Sequence, residues 1–325
     1  MKEIDLYSLK LKILDIDKNI EVIKKDDLNI PIFNYNLGPG PNHIDRLKIT
    51  SNIGPNVYKI NKVKFELNPL ANKELVIDNK CDVILLKDIT QHHHMLFEMI
   101  GRILYLSKYS KNSKFDILII SEDDNTIIED FFVKYKTLIK LLQMINITFA
   151  DKYINLYEYK TLELNNLLIT EYENSVMFDK YGDIARLIRN KFMIDDISNK
   201  NIYISRKNAK TNGLRKINNE ELIENFYKKM DYEIVYLEYM SIKNQIDLFS
   251  NAKNVVGLTG SGLSNCVFAN KDAKFLEIRN YSGYYNNDHV RIANFCNIDY
   301  DILTVEDTQN AEDIIIELEK YYKIK

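Results

Sequence analysis

From Cys81 to the C-terminus, apolar runs of strand length alternate with segments of helical period, and few folds accommodate that order. Asp82–Ile89 and Phe115–Ser121 read as strands, with a helix over His94–Lys108 between them. A helix over Thr126–Met144 and a short strand over Ile145–Ala150 follow. A second alternation begins near Tyr181. It runs Asn201–Ser205 (strand), Asn219–Met230 (helix), Tyr232–Leu237 (strand), Ser241–Ala252 (helix) and Asn254–Leu258 (strand). It continues with a short helix over Gly262–Asn270, a strand over Lys274–Ile278, a helix over Asp288–Cys296, a strand over Tyr300–Val305 and a helix over Asn310–Tyr322. Such alternation predicts an α/β fold of parallel sheets covered by helices on both faces.

The polar stretch Glu171–Ser175 interrupts the pattern and divides the chain into 1–175 and 176–325. A length of 325 residues suits two domains of that size. The first eighty residues contribute a β-rich segment, with short strands over Val57–Ile60 and Val63–Leu67 and a Gly/Pro turn at Leu37–Asn42.

Composition narrows the ligands. With 44 Lys+Arg against 47 Asp+Glu, the chain carries a net charge of −3, which argues against a nucleic-acid coat but leaves room for one local anion pocket. Cys81, Cys266 and Cys296 are widely spaced and odd in number, so neither a disulfide framework nor a zinc spacing is expected, and free thiols suit a reducing compartment. The N-terminus lacks an uninterrupted apolar core of the secretory kind, and no stretch approaches the roughly 18 apolar residues of a membrane span. The expected location is therefore the cytoplasm or the cytoplasmic membrane surface.

In open α/β sheets ligands bind beyond the carboxyl ends of the strands, so the strand-to-helix turns are the places to search. Three stand out. The first is Val255-Val256-Gly257-Leu258-Thr259-Gly260-Ser261-Gly262-Leu263-Ser264-Asn265, in which a buried-strand run enters three closely spaced glycines and then a helix. Glycines allow close backbone approach, and the helix offers unpaired N–H groups to an anion such as a diphosphate. A tight connection with glycines for packing alone would read the same way. The turn is neither a Walker loop nor a G-x-G-x-x-G. The second turn places Arg206 at the end of Asn201–Ser205, with Arg215 and Lys216 after a polar loop. A guanidinium fork matches phosphate oxygens, whereas Lys207 and Lys210 read as solvated surface charges. The third is Gln91-His92-His93-His94-Met95-Leu96-Phe97-Glu98, with Arg102 one turn later. His94 and Glu98 are four apart and share a helix face, an arrangement suited to a general base held by a carboxylate, and an exposed or packed imidazole at His94 would read the same way. His92 and His93 read instead as exposed or packed imidazoles, and three consecutive histidines cannot face one metal ion from a helix. The tripeptides Asp15-Ile16-Asp17 and Asp299-Tyr300-Asp301 read as solvated turns, the latter at the wrong strand end to hold a cation for a sugar nucleotide.

Taken together, these turns resemble glycosyltransferase family 61. Its C-terminal pattern has a Gln-initiated helix, a Leu-Phe pair, Ala, and Val-Val-Gly-x-His-Gly-Ala-Gly-Leu-x-Asn-x-x-Phe. Here Gln245, Leu248-Phe249, Ala252 and the run Val255–Phe268 correspond, and Phe275-Leu276-Glu277-Ile278 is similar to the family's glutamate-ending strand. Ser205-Arg206, Arg215-Lys216-Ile217 and Asn219-Glu220-Glu221-Leu222 resemble its Ser-Arg and Arg-x-Ile-x-Asn-Glu segments, and His94–Glu98 with Arg102 its His-Trp-Leu-x-Glu segment. Two departures are Thr259 at the family's His and Met95 where an aromatic is usual.

The resemblance implies a GT-B-like architecture of two Rossmann-like domains facing a cleft. It implies inverting transfer from a UDP-sugar (UDP-GlcNAc or UDP-xylose favoured) to a glycan or protein hydroxyl, with no cofactor or metal and no nucleic-acid partner. The implied roles are His94 as base oriented by Glu98, and a donor site of Arg206, Arg215, Lys216, Thr259, Gly260, Ser261, Gly262, Leu263 and Asn265. Glu277 would accept from the ribose hydroxyls or act only as a capping carboxylate. A non-catalytic donor-binding relative, or another transferase such as a pyruvyl transferase, are the alternatives. A dehydrogenase would need an early G-x-G-x-x-G that is not evident.

Overall fold

The computed structural model describes residues 3–6, 9–16, 20–23, 33–34, 48–49, 57–78, 80–87, 92–100, 103, 106, 115–121, 152–155, 157–170, 185, 188–189, 199–208, 217–280, 288–306 and 310–324, with the side chains of most of these. The turn at Leu37–Asn42, the helix expected over Thr126–Met144, the strand expected over Ile145–Ala150, and Arg102, Arg215 and Lys216 lie outside the described residues, as do the side chains of His94 and Glu98. The chain divides into two compact units, one of residues 1–90, 94–132 and 139–184, the other of residues 91–93, 133–138 and 185–325.

The first unit is built on a mixed sheet. Its strands are β1 (Glu3–Leu6), β2 (Leu9–Ile16), β3 (Ile20–Ile23), β6 (Val57–Glu66), β7 (Lys73–Ile77), β8 (Asp82–Lys87), β9 (Phe115–Ser121), β10 (Lys152–Asn155) and β11 (Tyr159–Thr170). Two short strands, β4 (Phe33–Asn34) and β5 (Lys48–Ile49), pair apart from it. The main order is β1-β2-β6-β11-β8-β9-β10, with β3 on β6 and β7 on β11. Only the β11, β8, β9 and β10 run and the β7 pairing are parallel; β6 runs antiparallel to β2, β3 and β11. The parallel pairing expected from Cys81 onward is seen among β8, β9 and β10, and every antiparallel pair of this sheet involves a strand of the β-rich segment before it. The two short strands read at 57–67 are one ten-residue strand, and the twelve-residue β11, absent from the sequence reading, is its main partner. Ile60, Val63 and Phe65 of β6 and Leu162, Leu164 and Leu167 of β11 bury one apolar surface with Val83, Leu85 and Leu118. The helical segment read at His94–Lys108 begins earlier, as a short helix His92–His94 continued by a π-helix Met95–Ile100.

The second unit follows its sequence pattern closely. Five parallel strands, β12 (Lys200–Ile204), β13 (Glu233–Val235), β14 (Ala252–Leu258), β15 (Lys274–Asn280) and β16 (Asp299–Val305), lie in the order β13-β12-β14-β15-β16. This is the doubly wound order 2-1-3-4-5. Helices Glu220–Lys229 and Ala311–Ile324 cover one face, burying Ile223, Tyr227, Ile314 and Leu318 against Tyr203, Val256, Leu276 and Ile278. Tyr203 stacks on Tyr227 with ring centroids 4.8 Å apart. Residues alternating with these point to the other face, which helices Ile242–Ser250 and Asp288–Phe295 and a 3₁₀ segment Ser261–Phe268 cover. Burial on both faces explains the near-continuous apolar run of β14. Ser241 caps the Ile242–Ser250 helix by accepting from the Asn244 N–H. Asn219, at φ 58°, starts the Glu220–Lys229 helix from a left-handed conformation that asparagine tolerates.

In an order 2-1-3-4-5 the chain reverses direction across the sheet between the first and third strands, here β12 and β14. The crevice opened there at the carboxyl edge is the natural ligand site of such a sheet. Arg206 follows β12, and Thr259–Leu263 follow β14.

Candidate active site at the switch point of the second sheet

A pocket of about 140 Å³ occupies that switch point. Arg206, Gly260, Ser261 and Gly262 line it together with His92, Glu238 and Gln245, and Leu263 adds an apolar wall. It is smaller than the ~300–1,000 Å³ of sites that engulf a whole drug-sized ligand.

Arg206 is fixed from two sides. Its backbone N–H donates to Glu220 Oε1 at 2.7 Å, and Nη1 of its guanidinium donates to the Thr259 carbonyl at 2.9 Å. The guanidinium occupies the space a side chain at position 260 would need: a Cβ on Gly260 would collide with Nη1. Gly262 has an equivalent reason, since its Cβ would come within 2.8 Å of Leu237 Cδ1. Both glycines are thus explained by close approach of a neighbouring side chain; the backbone at Gly260 is merely extended. The helix expected at Gly262–Asn270 is a 3₁₀ segment in which the Leu263 N–H donates to the Gly260 carbonyl at 3.0 Å. That bond takes Leu263 out of the expected set of anion donors and leaves the N–H groups of Ser261 and Gly262 ahead of the first internal bond.

Behind the pocket lie two polar networks. In one, Gln245 donates from Nε2 to the carbonyls of Leu237 (3.1 Å) and Met240 (3.2 Å) and accepts from Asn265 Nδ2 at 3.0 Å. Asn265 therefore turns its carbonyl oxygen to His92, whose Nε2 donates to it at 2.8 Å. Asn265 is fully buried, so it orients His92 at the pocket wall and does not itself face a ligand. His93 is also buried, with Nδ1 2.7 Å from Ser264 Oγ and Nε2 3.7 Å from Asp288. Both histidines are packed imidazoles, one of the two readings open for them in the sequence.

The other network centres on Glu277, which has no exposed surface. Its Oε1 accepts from Thr259 Oγ1 (2.6 Å) and Arg279 Nε (3.1 Å), and its Oε2 accepts from Arg279 Nη2 (2.8 Å) and Tyr300 OH (2.9 Å). Burial alone would raise its pKa, but the bidentate Arg279 guanidinium overrides this and holds the carboxyl below its ordinary range. This carboxylate is saturated from within and cannot reach a ribose hydroxyl in this arrangement, which corrects that expectation. Thr259 is likewise committed: its hydroxyl points at Glu277, and its carbonyl holds Arg206.

Of the donor residues expected from sequence, Arg206, Gly260, Ser261, Gly262 and Leu263 come together at the pocket, whereas Thr259, Asn265 and Glu277 support it from behind. Sequence reasoning missed Glu238, His92 and Gln245 as wall residues, and Glu220 as the anchor of Arg206. An acidic residue just past the second strand of a doubly wound unit was the available signal for Glu238. Among the described residues no group of three or more His, Cys, Asp or Glu gathers as a metal ion would require.

A family model described as Glycosyltransferase 61 matches residues 92–276, more than half of the chain and all of this pocket. The chain belongs to glycosyltransferase family 61. The pocket is thus part of a glycosyltransferase, an enzyme that brings together a sugar donor and an acceptor. Among curated proteins nothing matches this family 61 chain. Among solved structures, one of the subunits of dipicolinate synthase from Bacillus halodurans is similar over 64% of this chain and 66% of that one, at 9% identity and a TM-score of 0.20. That likeness is too slight to carry an argument.

Proposed function

We propose that this family 61 enzyme is an inverting glycosyltransferase that takes its sugar from a UDP-sugar, UDP-GlcNAc or UDP-xylose, and gives it to a glycan or protein hydroxyl. The observation that carries the donor side is Arg206 at the switch point, its guanidinium lodged against Gly260 beside the open N–H groups of Ser261 and Gly262. As the glycosidic bond to the diphosphate breaks, negative charge grows on the leaving oxygens. A prefixed guanidinium and backbone N–H groups stabilise that charge without reorganising. Arg215 and Lys216 would add to it from the loop after β12. The acceptor hydroxyl must lose a proton as it attacks, and His94, oriented by Glu98 four residues on, is the proposed base. The first unit would carry the acceptor and the second the donor, in a GT-B-like architecture. With Arg206 and the backbone supplying the positive charge, the reading needs no metal, and the enzyme would act in the cytoplasm or at the cytoplasmic membrane surface.

Thermal unfolding of the full chain with UDP, UDP-GlcNAc, UDP-xylose, GDP or NAD, each with and without EDTA, tests this. A ligand at about 100 times its Kd adds roughly 2.7 kcal/mol of stability. Stabilisation by the UDP compounds, indifferent to EDTA, is expected. No response to any UDP compound would overturn the donor assignment, and a response abolished by EDTA would overturn metal independence.

A further inference from the structure

A nucleoside diphosphate brings two vicinal ribose hydroxyls into its site, and each needs an acceptor. Glu277 is occupied. We propose that Glu238 is the ribose acceptor of the donor site; this rests on the donor reading above.

Glu238 lies on the 3₁₀ turn Leu237–Tyr239 that follows β13, the strand next to β12 in the sheet, and it lines the same pocket as Arg206. Its Oε1 is shielded from solvent and has no hydrogen-bond partner among the described residues. A shielded carboxylate oxygen without a donor is costly in a folded protein and marks a place where something else supplies the donor. An ionised carboxylate only accepts, which suits hydroxyl groups and repels phosphate. With Arg206 in the same pocket, the two side chains orient a nucleoside diphosphate: phosphates to the guanidinium, ribose to the carboxylate. The platform beneath Glu238 is stiff. Gln245 holds the carbonyls of Leu237 and Met240 on either side of the turn, and Leu237 packs into the space left by Gly262. Recognition through ribose is blind to the base, so Glu238 selects ribonucleotides as a class.

Calorimetric titration of the full chain with UDP, GDP, ADP, 2′,3′-dideoxy-UDP and pyrophosphate tests the assignment. Wild type should bind UDP roughly ten- to hundredfold more tightly than the dideoxy compound, as expected for hydrogen bonds to a charged acceptor. Glu238→Ala should abolish that ratio, and Glu238→Gln, which keeps one acceptor oxygen, should reduce it. Pyrophosphate affinity should stay equal or rise in both variants, because a negative charge has gone, and this also reports a folded pocket. If wild type binds UDP and the ribose preference persists in Glu238→Ala, Glu238 is not the acceptor although the donor reading stands. If pyrophosphate affinity falls in step with that for UDP, the effect does not run through ribose and the proposal fails. If wild type binds none of UDP, GDP and ADP, the donor reading fails and takes this assignment with it.

Discussion

Glu220 and Glu277 are both buried glutamates behind the carboxyl edge of the second sheet, yet they are held in opposite ways. Glu277 faces a guanidinium that grips both of its oxygens. Glu220 is met by neutral donors, the Tyr203 hydroxyl at 3.1 Å and the Arg206 N–H at 2.7 Å, with Glu224 one turn further along its helix. Burial therefore dominates at Glu220 and raises its pKa, while Arg279 reverses the same burial cost at Glu277 and lowers it. The difference shows that a buried carboxylate at a sheet edge is defined by its partners. Glu277 is a fixed charge that clamps β14 to β15 through Thr259. Glu220 is a polar anchor that positions the backbone of Arg206 at the pocket.

The contrast is broken most severely by removing the fixed charge. Glu277→Leu leaves the Arg279 guanidinium buried without its bidentate counter-charge, and denaturant unfolding should show a loss of about 3–5 kcal/mol. A variant as stable as wild type would mean that Arg279 finds another counter-charge and that the clamp is dispensable. Arg206→Ala acts on the other region. It should leave the fold nearly intact but weaken UDP binding by roughly 2–5 kcal/mol, the cost of deleting one partner of a desolvated charge pair. Gly260→Ala should weaken UDP binding in the same direction without touching Arg206 itself, because the new methyl takes the guanidinium's place. Full affinity in both variants would return Arg206 to the surface charges. Thr259→Val separates the two regions more finely. It deletes one hydrogen bond to a charged carboxylate that keeps its other donors, so stability should fall near the lower end of ~1.5–3 kcal/mol while UDP affinity holds. The reverse result would mean that Thr259 serves the donor and not Glu277.

The second unit was legible because its central strands β12, β14 and β15 are largely buried, and two of them end in a marked turn: β14 with its glycines, β12 with Ser205-Arg206. Periodicity read the elements of this unit to within two residues at each end, and the place of Arg206 followed from its strand end. Strand order is set by contacts between distant segments, so the sequence could not show that β13 flanks β12 and brings Glu238 beside Arg206. For the same reason Glu277 read as a strand-end acceptor, although its occupancy depends on Arg279 and Tyr300, the latter from the next strand. The first unit was less legible. Strands β6 and β11 carry Lys, Asn and Glu among their leucines, isoleucines and valines, because alternate positions of an antiparallel pair face away from the core, and in β11 the pair Asn165-Asn166 breaks the apolar positions into two short stretches.

The smallest expected effect is in pH dependence, and it tests the comparison without disturbing the packing. Glu277 has a folded pKa below its unfolded value, near 4.5, so its contribution to stability is fully present above about pH 4.5 and is lost as pH falls through the lowered folded value. Glu220 has a folded pKa above the same unfolded value, so its contribution runs the other way: fully present below about pH 4.5 and lost as pH rises through the raised folded value. Acidification from neutrality should first relieve Glu220 and only later cost Glu277. Melting temperatures of wild type, Glu220→Gln and Glu277→Gln across pH 3.5–7.5 resolve the two. Glu220→Gln, which keeps a carbonyl acceptor for Tyr203 and Arg206, should flatten the profile above pH 4.5 relative to wild type. Glu277→Gln should flatten it below. Superimposable profiles for wild type and Glu220→Gln above pH 4.5 would show that Glu220 is solvated like a surface carboxylate, and that the electrostatic distinction between the two glutamates is confined to Glu277.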